Sequence, residues 1–270
     1  MIWEHRMATR VAPTKVTGGG GDFFEDQVVA YFMACLLTET PPLGSSVGVL
    51  VSLDFQTKAS GWLLDDLLLT LSSSDGESRA SFSIKSNRQF SQTSAPLDFV
   101  ETAWEQWLNI GTQEFHLERD FLGLISAPHD AKLKNDLDDL LTLVRAQTPA
   151  IFAERVAKTG FLSKSKNQLF LSFSCPSHLN ETGAVTPVDA AALLSRIYIL
   201  EFDFESNNSS SRINAVQICR SALVSEGLDE AEILWQALVS FAAEMRPRGG
   251  HVDIRRLIAR LRETFSFKAY

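Results

Sequence analysis

Cysteine is nearly missing from this chain. Its three cysteines, Cys35, Cys175 and Cys219, are odd in number, far apart and in no metal-type spacing, which excludes a disulfide framework and a zinc site. Long apolar stretches are missing too. The longest run, Val28 to Leu37, is about half of the ~20 residues a membrane span needs, and the N-terminus has charged residues and no apolar signal core. A cytoplasmic protein with no membrane partner is expected. An excess of positive charge is also lacking: the net charge of −8 excludes a surface that clamps nucleic acid over its whole extent, because phosphate binding draws on positive potential. Basic residues gather only locally, at Arg155, Lys158, Lys164 and Lys166, and again at Arg246, Arg248, Arg255, Arg256, Arg260 and Arg262. Each group reads as a solvated helix face. The Gly18 to Gly21 run is followed by no Gly-Lys-Ser/Thr, so it is not a phosphate-binding loop.

What remains is an ordinary globular composition, 45% hydrophobic and 21% charged over 270 residues, enough for a substantial core. Residues 1–17 read as a flexible lead-in. Asp22 with Glu25 three positions on marks a helix start of the capping-box kind, for a helix from about Phe23 to Leu37. Glu25 falls at helical spacing with Val29, Phe32 and Leu36, which places its carboxylate on the apolar stripe. A strand over 46–56 follows, then a hairpin over 61–87. Beyond it come a helix over 97–110, a strand over 121–126 that pairs parallel with the hairpin's second strand, and a helical stretch over 132–158 interrupted at Pro149. A strand over 169–175, a helix over 188–196 and a strand over 197–204 are expected next. The 207–211 run breaks the composition, and helices over 212–225, 228–245 and 252–265 complete the pattern.

The hairpin carries charge where a core belongs. Its first half, Gly-Trp-Leu-Leu-Asp-Asp-Leu-Leu-Leu, holds Asp65 and Asp66 inside an apolar run. Its second half alternates Ser81, Ser83 and Lys85 with Phe82 and Ile84. Buried charges are costly unless they are paired or bind a metal, so a salt bridge and a site both answer that pattern. The alternation lets only one of the two aspartates face a given site, and a one-residue slip exchanges them.

Glu25 on a helix, Asp66 on a strand and Ser83-Ile84-Lys85 on the next strand fall in an order that resembles the PD-(D/E)XK nuclease superfamily, the restriction-endonuclease-like fold. Phe-Phe-Glu-Asp-Gln-Val-Val-Ala-Tyr-Phe, the hairpin and Phe-Ser-Ile-Lys-Ser-Asn are similar to nuclease domains at the N-terminus of bacterial anti-phage effectors. Those domains are fused to cyclic-oligonucleotide sensors or to STAND NTPases. The resemblance implies an α/β fold, a mixed central sheet flanked by helices, over 18–206, with a helical extension or connector over 207–270.

It also implies a Mg²⁺- or Mn²⁺-dependent endonuclease acting on double-stranded DNA, a homo-oligomer when active, with a sensor or STAND NTPase module in the same or an associated chain. Asp66, with Asp65 as its alternative, would be the main metal ligand, joined by Glu25 and the Ile84 carbonyl, and Lys85 would orient the attacking water. Asn87, Arg88 and Gln89 are candidates for DNA contact. Ser83 stands where the family usually has an acid or glutamine, a poorer ligand, so a catalytically degenerate module for DNA binding or assembly is the alternative. His116 and His129 read as surface or satisfied core histidines, and Trp104 and Trp107 as core.

Overall fold

The computed structural model describes residues 19–87, 89–110, 114–180, 183–204 and 208–268. The sequence expectations for 1–17 and for Arg88 lie outside these. A mixed six-stranded sheet runs through the middle, in the order β5-β4-β3-β2-β1-β6. Its strands are β1 (Val49–Asp54), β2 (Leu67–Ser73), β3 (Gly76–Lys85), β4 (Phe121–Ser126), β5 (Ile197–Glu201) and β6 (His251–Asp253). β1, β2, β3 and β6 pair antiparallel, whereas β4 joins β3, and β5 joins β4, in parallel. Parallel neighbours need crossovers, and these are helical. α2 (Leu97–Trp107) links β3 to β4. α3 (Ala131–Arg145), α4 (Pro149–Val156), α5 (Lys164–Ser172) and α6 (Pro187–Ser195) link β4 to β5.

Helices cover both faces, giving two cores. On one face α1 (Gly19–Thr38) packs with α7 (Ser210–Ala222), α8 (Leu228–Met245) and α9 (Ile254–Leu261) against Leu67, Leu69, Leu71, Ala80 and Phe82. On the other, α2 to α6 pack against Leu68, Leu122 and Leu124. The division follows the strand alternation, which sends neighbouring residues to opposite faces. α1 is apolar on nearly every side because it lies between the sheet and α7 and α8, and Val28 to Leu37 are almost wholly buried apart from Tyr31. Among the described residues no helix is long and apolar enough to cross a membrane.

The mixed sheet, the hairpin turn, β4 with its parallel pairing and the break at Pro149 agree with the sequence expectation. Four local expectations are corrected. Residues 169–175 are not a strand: Ser163 caps α5 by accepting from the Lys166 N–H at 3.3 Å, and Leu169, Phe170 and Phe173 enter the core. Strand alternation would put Leu171 beside Leu169, but Leu171 is 55% exposed. β2 begins at Leu67, so Asp65 and Asp66 precede the strand rather than sit within it. α1 already includes Gly19, with Asp22 inside it. The stretch expected as a third C-terminal helix opens with β6, which pairs with β1 and so ties the expected helical extension into the sheet.

Gly123 in β4 shows how closely the two halves approach. A Cβ there would lie 2.2 Å from the Phe82 ring and 2.7 Å from the Tyr198 carbonyl oxygen, so a side chain has nowhere to go. Gly123→Ala is expected to destabilise the fold by about 1–3 kcal/mol through overpacking, measured by urea denaturation. An unchanged midpoint would show that β4 has slack.

Candidate functional site

The site lies at the end of β3, where β2 has stopped and β4 continues. The Trp62–Asp66 segment entering β2 is irregular, so its backbone groups must find partners outside a strand ladder. Gln106 of α2, fully buried, supplies two: its Oε1 accepts from the Leu63 N–H at 2.6 Å and its Nε2 donates to the Gly61 carbonyl at 3.2 Å. The Ser81 hydroxyl donates to the Leu64 carbonyl, and the Thr57 N–H donates to the Asp65 carbonyl at 3.2 Å. Trp62 anchors the segment, buried edge-on to Phe115 with the Arg79 guanidinium over its ring.

These straps place Asp66. The β2–β3 ladder ends at Leu67 opposite Phe82, and the Asp66 carboxylate then takes over: Oδ2 accepts from the Ile84 N–H at 2.7 Å and the Ser83 hydroxyl at 3.1 Å. Ser83 therefore supports Asp66 as a donor. Lys85, one turn of the pleat beyond, forms no ion pair among the described residues, so the salt-bridge reading of the hairpin does not hold. Asp65, Asp66, Ser83, Lys85, Gln89 and Asp98 border one pocket of about 160 Å³. Asn87 is exposed and bonded to Gln89.

Glu25 approaches from α1 and feels the charges of both Asp66 and Lys85, but its direct partner is Arg246, at 2.8 Å. Arg246 also binds Asp22 at 3.1 Å and Asp26 at 3.0 Å, so one guanidinium serves three carboxylates. Burial pushes Glu25 from 4.5 up to about 7. Arg246 opposes the shift, and the negative charges of Asp66 and Asp22 add to it. Burial likewise raises Asp26.

Among the described residues no three histidine, cysteine or acidic side chains gather as a metal cage. Asp66 brings a hard oxygen donor to the pocket, the type of ligand that Mg²⁺ takes alongside water or phosphate. Asp98 and Gln106 escaped the sequence reading, and Arg246, expected on a solvated helix face, is instead largely buried among three carboxylates. The spacing of Gln106 on an apolar helix face was the one available signal, since a buried amide needs partners. His129 is a satisfied core histidine: Nδ1 lies 2.6 Å from Glu201 Oε1, and Nε2 faces the Phe90 N–H at 3.4 Å.

A six-stranded mixed sheet between two helical layers, with a charged pocket at one strand end, defines the chain as an α/β protein with a polar pocket. No protein-family model matches the sequence, and no curated protein matches it either. Among solved structures, the fold is similar to the Acinetobacter baumannii Cap4 SAVED/CARF-domain containing receptor, at TM-score 0.50 and 11% identity, over 95% of this chain and 48% of that one. The same receptor with the cyclic trinucleotide 3'3'3'-cAAA matches at TM-score 0.50 and 11% identity, over 95% of this chain and 49% of that one. The Moraxella osloensis Cap4 SAVED/CARF-domain containing receptor gives TM-score 0.48 and 14% identity, over 92% and 49%. This chain thus spans about half the length of these receptors, and at such identity the likeness is one of fold.

These neighbours correct the family reading. The proteins that share the fold are described as SAVED/CARF-domain containing receptors, not as PD-(D/E)XK nucleases. The Mg²⁺-dependent endodeoxyribonuclease implied by that resemblance falls with it, as do the degenerate nuclease alternative and double-stranded DNA as the partner.

Two outcomes test this geometry. Gln106→Leu leaves the Leu63 N–H and the Gly61 carbonyl without that side chain, which is expected to cost about 2 kcal/mol and to speed hydrogen exchange at Leu63. Carboxyl NMR should place the Glu25 midpoint at about 7, moving higher in Arg246→Ala and lower in Asp66→Asn. Because the folded value exceeds the ordinary 4.5, Glu25's contribution to stability is fully present below 4.5 and is lost as pH rises through about 7. A midpoint near 4.5 would show that the carboxyl is solvated.

Proposed function

We propose that this chain is one unit of a cytoplasmic anti-phage receptor that responds to a cyclic oligonucleotide, and that the pocket between Asp66 and Lys85 receives a phosphate of that ligand. The observation that carries the reading is this pocket on a fold shared with a receptor whose structure includes a cyclic trinucleotide. Charge decides what the pocket needs. Asp65, Asp66 and Asp98 face the single ammonium of Lys85, so a phosphate arriving alone would be repelled. A Mg²⁺ held by Asp66, with Glu25 and the Ile84 carbonyl beside it, would offset that excess and bind phosphate oxygens directly. Lys85 then donates to the same phosphate, and Gln89 and Asn87 lie where they can meet a sugar or base edge.

The division into 18–206 and 207–270, a sensor or STAND NTPase module joined to the second part, and assembly of several copies belong to the same proposal. The raised pKa of Glu25 fits a carboxyl that gives up its proton when a cation arrives.

Isothermal titration with 3'3'3'-cAAA tests the reading. Binding is expected with Mg²⁺ and is expected to vanish with EDTA. Asp66→Asn and Lys85→Ala should each weaken it by about tenfold or more, loss of one charge-assisted contact being worth roughly 1.5–3 kcal/mol. The trinucleotide should be recovered intact. Absence of binding, chelator-insensitive binding or a cleaved product would each sink this assignment.

A further inference from the structure

A second pocket, of about 440 Å³, lies on the far side of the turn that holds Arg246, bordered by Phe241, Glu244, Arg248, Gly250, Arg256 and Arg260. Its volume is that of a ligand site. We propose that it binds phosphate groups of a nucleotide or oligonucleotide, independently of the Asp66 pocket.

Charge is the first ground. Three guanidiniums face one carboxylate, and Glu244 is shared: Arg248 Nη1 lies 3.3 Å from its Oε1 and Arg260 Nη2 3.4 Å from its Oε2. Arg256 has no acidic partner among the described residues; Nη1 donates to the His251 carbonyl at 2.8 Å and Nη2 faces only the Met245 sulfur at 3.4 Å, a weak acceptor. A positive concavity on a chain of net charge −8 concentrates anions locally against the overall field.

Geometry is the second ground. The arginines come from two elements, Arg248 from the Arg246–Arg248 turn and Arg256 and Arg260 from successive turns of α9, with Glu244 on α8 between them. Planar forks converging from several directions suit a tetrahedral dianion better than one carboxylate, which Glu244 already illustrates by meeting two of them only at long distance. Phe241 forms an apolar floor, with the Arg260 guanidinium 5.9 Å from its ring centroid. The Met245 methyl packs directly on Gly250, where a Cβ would lie 2.3 Å from it.

The test is fluorescence anisotropy with a short labelled single-stranded oligonucleotide, at several salt concentrations. Arg248→Ala with Arg260→Ala is expected to weaken binding by about tenfold or more and to lower the salt slope by roughly 1.4, at ~0.7 per phosphate contact on a single strand. Glu244→Gln is expected to tighten binding, an effect that loss of folding cannot imitate. The affinity is expected to be the same in EDTA as in Mg²⁺, which separates failure here from failure of the receptor reading. Displacement by ATP, or by inorganic phosphate alone, supports the assignment, the first pointing to a nucleotide and the second to a bare phosphate site. Equal displacement by polyglutamate, or an arginine double variant that binds like the parent chain, overturns it.

Discussion

A single carboxylate holds the working end of this sheet together. Where β2 stops, the Ile84 N–H would be left without its cross-strand acceptor, and Asp66 takes that place at 2.7 Å. The same oxygen accepts from Ser83, so the acid is fixed from both the backbone and a side chain. A carboxylate receiving two hydrogen bonds holds its position far better than one free in a loop, and the pocket takes its shape from that. The straps from Gln106, Ser81 and Thr57 serve the same end, since they hold the irregular approach that brings Asp66 to Ile84.

Most of the architecture is legible from local pattern. Phe121 to Ser126 emerges with its bounds intact because an unbroken apolar run flanked by polar residues has few other uses in a parallel sheet. Val28 to Leu37 announces a core helix by being apolar on every face. The stretch 169–175 misleads because five residues alternating Leu, Phe, Leu, Ser and Phe satisfy a strand and a short capped helix equally well. The cap at Ser163 decides the matter from outside that window. Asp65 and Asp66 were misplaced for a related reason: apolar neighbours extend the apparent strand across a segment whose backbone is held by distant side chains.

The site was half legible. Glu25, Asp66, Ser83 and Lys85 do come to one end of the sheet, but their relations differ from those the spacing suggested. Lys85 and Asp66 do not pair, and Glu25 answers to Arg246, a residue that nothing in the local sequence connects to it. Asp98 reaches the pocket from the crossover helix, and Gln106 reaches it only through the backbone it supports. Such partners are set by three-dimensional packing, which a linear pattern does not encode. The family resemblance pointed to a nuclease where the fold's neighbours are described as receptors, because one topology serves many functions.

The clamp at Arg246 has a consequence for biosynthesis. Asp26 and Arg246 stand 220 positions apart, so α1 leaves the ribosome long before its acidic first turns acquire this counter-ion. Until then three carboxylates crowd one another without relief, and the N-terminal half is disfavoured from settling early into its final place. The clamp is therefore among the later contacts to form, and a chain cut short before Arg246 would lack it.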